Sequence, residues 1–305
     1  AQLLAMVVRE GHGVMVGHDA NRTGPTETTG ARAAAESVAV MRPYYDADGV
    51  TIYHGRDLDV LPSLGPVDMI FTSPPYNLGM TTGGGFGHYA ADAGFGAARG
   101  GGGKWHGGEL SEGYDGHDDK MPMDEYEAWQ QAALTAMWDR LTVGGAIFYN
   151  HKPRPLGELW SPLRCNPDLP LRQIITWARA GGVNFAPTHY CPTYEWIMVF
   201  AKPGWRLKSK AASGVGDVWR VPQESNTEHP CPFPVALPAM AIESVAPKSI
   251  LDPYAGSGST LVAAKRAGVR AIGIEKSERY CEIAARRLDQ GVLDFGGSIA
   301  TEGVA

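Results

Sequence analysis

The chain has 305 residues, 44% of them apolar, and a formal charge of −6. That apolar content excludes a disordered or collagen-like chain and leaves ample material for a buried core. The acidic balance excludes a surface that is basic throughout, though not a local basic cleft.

Taken in chain order, residues 1–40 are rich in Ala, Gly and Thr and read as a disordered leader or arm. The folded domain is expected over 41–297, with a tail at 298–305. Val50–Tyr53 is a short strand candidate, and Val67–Thr72 (VDMIFT) is an apolar run suited to a buried parallel strand. A glycine-rich loop follows at 79–120. Of the 39 glycines, 15 fall between Gly79 and Gly116, far above the average usage of about 7%. Asp124–Leu141 reads as a helix with Asp124 as N-cap, ended by Gly144 and Gly145. Strands are expected at Ala146–Tyr149, Arg172–Trp177, Glu195–Phe200 and Ser249–Leu251. A helix from Ser259 to Arg266, a strand at Arg270–Ile274 and a helix at Arg279–Leu288 close the domain. Strands alternating with helices imply an α/β fold with a doubly wound, mostly parallel sheet. Cys165, Cys191, Cys231 and Cys281 form no CxxC pair, so neither a metal site nor a disulfide framework is expected. No apolar run reaches the roughly 18 residues of a membrane span, and a cytoplasmic protein without a membrane partner is expected.

Three motifs carry chemistry. Asp252-Pro253-Tyr254-Ala255-Gly256-Ser257-Gly258-Ser259-Thr260 is a strand end, a glycine turn and a helix start, which lets the backbone approach a ligand. It lacks the Lys of a phosphate-binding Walker loop and the third Gly of the dinucleotide fingerprint, which disfavours a dehydrogenase. Glu275 ends the next strand, 19 residues past Gly256, where an acid can accept from ribose hydroxyls. Thr72-Ser73-Pro74-Pro75-Tyr76-Asn77 follows an apolar strand. Its prolines remove two N–H donors, leaving the Ser73 hydroxyl and the Pro74 carbonyl as acceptors for an amino group, while Tyr76 offers a stacking face. Taken singly, the glycine loop and SPPY are also compatible with turns that bind nothing, and a lone Glu275 reads more simply as a solvated carboxylate.

Together and in this order, they resemble the β class of S-adenosylmethionine-dependent DNA amino-methyltransferases. In that class the SPPY-type motif precedes the cofactor loop. Gly55-Arg56-Asp57-Leu58 resembles the family's acidic cofactor contact. His229-Pro230 with Phe233-Pro234-Val235 resembles its segment at the methionine end, and Tyr194–Lys202 (YEWIMVFAK) the strand before its recognition region. The resemblance implies a seven-stranded, Rossmann-like class I methyltransferase fold with circularly permuted motif order. It implies Ser73, Pro74, Pro75 and Tyr76 as the catalytic motif. The implied cofactor contacts are Asp57, Leu58, His229, Pro230, Phe233, Asp252, Pro253, Tyr254, Gly256, Ser257, Gly258, Thr260 and Glu275.

The implied reaction moves a methyl group to the exocyclic amine of a flipped-out base. Cytosine-N4 is preferred because SPPY is more often the cytosine version, with adenine-N6 the alternative. Double-stranded DNA is the implied partner, a homodimer and a cognate restriction endonuclease further ones. The short recognition segment 202–228 contains Lys202, Arg206, Lys208, Lys210 and Arg220 against Asp217 within 202–220, with Trp205 and Trp219 interleaved. These five cations and Lys104 are the expected DNA contacts. The glycine-rich loop is expected to be a flap that closes over DNA. A cytosine-C5 enzyme using Pro230-Cys231 would leave SPPY unexplained, and a protein-glutamine methyltransferase would have the cofactor loop first. A non-catalytic DNA-binding or scaffold protein retaining the fold stays open.

Overall fold

The computed structural model describes residues 41–77, 121–156, 158–179, 190–224 and 233–290. The expected leader, glycine-rich loop and tail, with Lys104, His229 and Pro230, lie outside them. The elements are β1 (Tyr45–Ala47), β2 (Val50–His54), α1 (Asp57–Val60), β3 (Val67–Thr72), α2 (Met123–Asp139), β4 (Leu141–His151), β5 (Arg154–Leu156), β6 (Glu158–Trp160), β7 (Leu171–Ala178), β8 (Tyr194–Ala201), α3 (Lys210–Ser213), β9 (Val218–Arg220), α4 (Ala236–Val245), β10 (Ser249–Asp252), α5 (Ser259–Arg266), β11 (Arg270–Glu275) and α6 (Glu278–Asp289).

One sheet runs in the order β1-β2-β11-β10-β3-β4-β8-β7-β9, while β5 and β6 form a separate hairpin. The seven expected strands form its middle. The expected seven becomes nine because β1 and β9 are three-residue edge strands, too short for a period to show. Neighbours from β2 to β4 are parallel, and β8 runs antiparallel to both β4 and β7. Both faces are covered, which is why the strands read as continuous apolar runs. Met69 and Phe71 pack with α4, α5 and α6, whereas Ile70 packs with α1 and α2. No helix among the described residues is long and apolar enough to cross a membrane.

The winding reverses between two neighbouring strands. From β10 the chain passes through α5 to β11 on one side, and from β3 it passes through α2 to β4 on the other. A crevice at such a reversal, outside the carboxyl ends of the strands, is where open α/β sheets bind ligands.

Two local expectations are corrected. Helix α2 begins after Pro122, which makes no side-chain cap bond, and Asp124 stands in its first turn, where a carboxylate still complements the helix dipole. Gly144 and Gly145 lie inside β4 instead of ending the helix. Gly144 has φ +75°, and a Cβ on Gly145 would stand 2.9 Å from the Asp68 carbonyl, so these glycines let β4 bend against β3.

The described chain stops at Asn77 and resumes at Met121, and the two residues clasp each other. Asn77 Nδ2 donates to the Met121 carbonyl at 2.8 Å, and the Met121 N–H donates to Asn77 Oδ1 at 2.8 Å. Asn77 adopts φ +54°, a left-handed conformation that Asn tolerates better than most residues. Arg154 Nη1 donates to its carbonyl at 2.8 Å.

Candidate active site

At the carboxyl end of β10, Asp252 is fully buried. Its Oδ1 accepts from Thr72 Oγ1 at 2.7 Å and from the Tyr254 N–H at 3.1 Å, and its Oδ2 accepts from Thr260 Oγ1 at 2.7 Å. Burial pushes its carboxyl up to about 6, against the pull of these three hydrogen bonds. Thr260 is fully buried as well. Both were expected as cofactor contacts, and the structure engages both inside the fold, where they shape the loop and tie it to the end of β3.

The loop turns at Gly256 (φ +50°) and Gly258 (φ +83°), conformations that favour glycine. Pro253 is buried beneath it. Arg287 Nη1 donates to the Ser257 carbonyl at 2.7 Å and to its Oγ at 2.9 Å. Glu275, ending β11, accepts from the Gly256 N–H and the Ser277 N–H, both at 2.8 Å. Burial raises its carboxyl, and those backbone bonds oppose the rise. At the β2–α1 turn, Asp57 Oδ2 accepts from the Tyr254 hydroxyl at 2.7 Å, while Oδ1 has no hydrogen-bond partner among the described residues. Burial and Asp57 together hold the Tyr254 hydroxyl well above its ordinary range. Leu58 is half-buried against the α1–α2 core, and Phe233 lies 5.6 Å from Phe71 by ring centroids.

One strand over, Ser73, Pro74, Pro75 and Tyr76 leave the end of β3. Tyr76 is 8% exposed. Its ring stacks on His151 with centroids 4.5 Å apart. Its hydroxyl lies 2.8 Å from Ser73 Oγ, 3.0 Å from Asn150 Oδ1 and 2.8 Å from Glu195 Oε2. Asn150 Nδ2 donates to the Trp196 carbonyl, which points Oδ1 at Tyr76. Glu195 is itself paired with Arg179 at 3.3 Å, and both side chains are largely buried. His151 is held down to about 3 by burial and by the Arg154 charge. The Lys152 N–H donates to its Nδ1 at 2.7 Å, so the neutral ring carries its proton on Nε2, 2.6 Å from the Tyr126 hydroxyl. That hydroxyl donates to the Pro75 carbonyl at 2.8 Å, bracing the turn. The Pro74 carbonyl accepts no hydrogen bond among the described residues.

Asn150, His151, Arg179 and Glu195 were missed as site residues. Glu195 did leave a signal, since it is the one acid in the otherwise apolar strand YEWIMVF. Asn150 and His151 are the last two residues of β4, where polar residues after an apolar run mark its carboxyl end.

The basic segment divides. Lys202 follows the end of β8 and donates to the Leu141 carbonyl at 2.6 Å, and its N–H bonds the Gly145 carbonyl. This is the end of the sheet opposite Ser73. The segment stays at that end through Arg206 and Lys208, whose N–H bonds the Ser244 carbonyl near the end of α4, and into α3 at Lys210. Arg220 alone of the five reaches the site's end, because β9 runs parallel to β7 and pairs Arg220 with Ala178. The two tryptophans face the core. Trp219 is 5% exposed and Trp205 packs against the sheet. Among the described residues, no group of three or more His, Cys, Asp or Glu side chains could hold a metal ion.

The sequence from 67 to 286 matches the N6/N4 DNA methylase family model, described as DNA methylase. That is more than half of the chain, and it takes in the turn at Ser73 and the loop at Gly256. The chain belongs to the N6/N4 DNA methylase family. This methylase is 25% identical to type II methyltransferase M.ScaI of Streptomyces caespitosus, over 85% of its own length and 87% of that protein's. It is 24% identical to DNA adenine methyltransferase YhdJ of Escherichia coli, over 78% and 82% respectively. In fold, the methylase is similar to the cytosine-N4-specific PvuII DNA methyltransferase, with a TM-score of 0.61 at 16% identity over 85% of this chain and 92% of that one. Its fold is also similar to M1.HpyAVI, solved in complex with S-adenosylmethionine, with a TM-score of 0.51 at 18% identity over 79% and 98%.

Proposed function

We propose that this DNA amino-methyltransferase methylates cytosine N4 in double-stranded DNA, taking the methyl group from S-adenosylmethionine. The observation that carries the reading is the adjacency of two turns. SPPY and the glycine loop leave neighbouring parallel strands, and the 2.7 Å bond from Thr72 to Asp252 holds them together. A methyl donor in one turn and an acceptor amine in the other would meet in the crevice between them.

The residues present fit the donor. Asp57 Oδ1 lacks a partner among the described residues, Glu275 has lone-pair capacity beyond its backbone bonds, and the buried Ser259 hydroxyl at the start of α5 also has none. Asp57 and Glu275 would take the nucleoside hydroxyls and amine, and the backbone at Gly256 would let the donor lie close. When bound, S-adenosylmethionine supplies a methyl group on a positively charged sulfur. The protein's own part is to hold and orient. Ser73 Oγ and the Pro74 carbonyl accept the two amine hydrogens, and the Tyr76 ring, backed by His151, presents its other face to the base. Catalysis rests on positioning and electrostatics, without a covalent enzyme intermediate.

The choice of cytosine rests on Ser73 standing where adenine enzymes more often carry Asp. Adenine-N6 is the second reading, favoured by the likeness to YhdJ. The type II relatives support a restriction–modification setting with a cognate endonuclease. Incubation with DNA and labelled S-adenosylmethionine, digestion to nucleosides and mass separation tests the reading. N4-methylcytosine is expected. N6-methyladenine would replace the first reading by the second, and absence of any methylated base would refute both.

A further inference from the structure

The hydrogen-bond chain behind Ser73 has a direction, and its direction sets what Ser73 can bind. The Tyr76 hydroxyl faces two oxygens that only accept, Asn150 Oδ1 at 3.0 Å and the Glu195 carboxylate at 2.8 Å. Asn150 is fixed in that orientation by its bond to the Trp196 carbonyl, and Glu195 by its pairing with Arg179. A phenol has one proton, and here it must point at this pair. Towards Ser73 the Tyr76 oxygen can then only accept, so the 2.8 Å contact is a bond donated by Ser73.

We infer that Glu195 is a positioning residue for methyl transfer: acting through the Tyr76 hydroxyl, it uses up the Ser73 proton and presents the serine oxygen to the target base as an acceptor only. The inference rests on the amino-methyltransferase reading and deepens it. A free serine hydroxyl both donates and accepts, so it would receive a carbonyl as readily as an amine. Held by Tyr76, Ser73 takes N–H and refuses C=O, which selects amino bases over keto bases. It then behaves as a carboxylate would at the same position, which gives the SPPY and DPPY versions of the turn one chemistry. During transfer the amine nitrogen bonds the methyl carbon while the carbon–sulfur bond breaks, with its electron pair left on sulfur. One proton leaves the nitrogen, and the Ser73 oxygen is its first acceptor. The serine proton can pass to Tyr76 and the tyrosine proton to Glu195, so charge balances without any further reactant.

The test is a set of conservative variants of the full chain, each assayed for kcat on duplex DNA and for S-adenosylmethionine affinity by calorimetry. Tyr76→Phe keeps the ring and its stacking but removes the hydroxyl. It should lower kcat by about three- to tenfold, the size of one neutral hydrogen bond, with cofactor affinity unchanged. Glu195→Gln should do the same, and the two losses should not multiply in the double variant, because Glu195 acts through that hydroxyl. Ser73→Asp, an acceptor by itself, should restore most of the activity lost in Tyr76→Phe. Should Glu195→Gln fail to fold, Tyr76→Phe with and without Ser73→Asp still decides. A wild-type protein that methylates DNA, with Tyr76→Phe within twofold of it, overturns the inference alone. So do losses that multiply, or an Asp that restores nothing. A wild-type protein that methylates no base overturns the underlying reading and the inference with it.

Discussion

Asp252→Asn should make the protein more stable at neutral pH and leave it unchanged in acid. Burial raises this carboxyl from an ordinary 3.8 to about 6, so the native state holds the proton more tightly than the unfolded chain. Stability from this group is greatest below its unfolded value, falls as pH rises towards 6, and stays lost above. The gap corresponds to about 3 kcal/mol. Asparagine removes the ionisation and can keep the bonds. Its oxygen accepts from Thr72 and Tyr254, and its amide donates to Thr260 Oγ1, whose own proton turns to the Phe71 carbonyl 3.4 Å away. His151 works in the opposite sense. Held to about 3 from 6.5, it stays neutral when native, so its contribution is lost as pH falls below 6.5. Both proteins share that term, and subtraction removes it. Urea unfolding followed by tryptophan fluorescence across pH 4 to 8 measures the difference. The variant should gain by about 2 kcal/mol relative to wild type between pH 4 and pH 7, the rest of the gap lying below pH 4. A difference that stays flat to within about 0.5 kcal/mol over that range would refute the reasoning.

Arg220→Ala should weaken DNA binding and reduce the slope of log affinity against log salt by about 1. Lys202→Met, at the far end of the sheet, should leave that slope unchanged; fluorescence anisotropy at several salt concentrations separates them, and the opposite ranking would contradict the placement. Gly145→Ala should cost about 1–3 kcal/mol, since its Cβ meets the Asp68 carbonyl at 2.9 Å. An unaltered melting temperature would mean that β4 shifts without strain.

The buried parallel strands could be read because both faces are covered, leaving unbroken apolar runs such as Val67–Thr72. Helix α5 could be read at both ends, because Gly258 precedes it and Gly268 follows it. The two turns of the site could be read because each carries its own glycines or prolines. What could not be read was assembled across strands. Glu195 meets Tyr76 only through the antiparallel register of β8 on β4, and no local spacing encodes that pairing. The basic segment divides for a related reason. A charge count locates cations along the chain but does not tell which end of the sheet they occupy, and Lys202 and Arg220 fall at opposite ends. Trp219 interleaves with the cations in the sequence, yet an edge strand of three residues turns it into the core.

The clasp between Asn77 and Met121 makes this position an insertion point. Because the two residues bond each other, and Arg154 secures one of them, the sheet and α2 are joined independently of residues 78–120. Closing a longer stretch over the same clasp costs only about 0.6 kcal/mol per doubling of length. Evolution can therefore lengthen, shorten or rewrite that stretch, one residue from Tyr76, without renegotiating the fold beneath it.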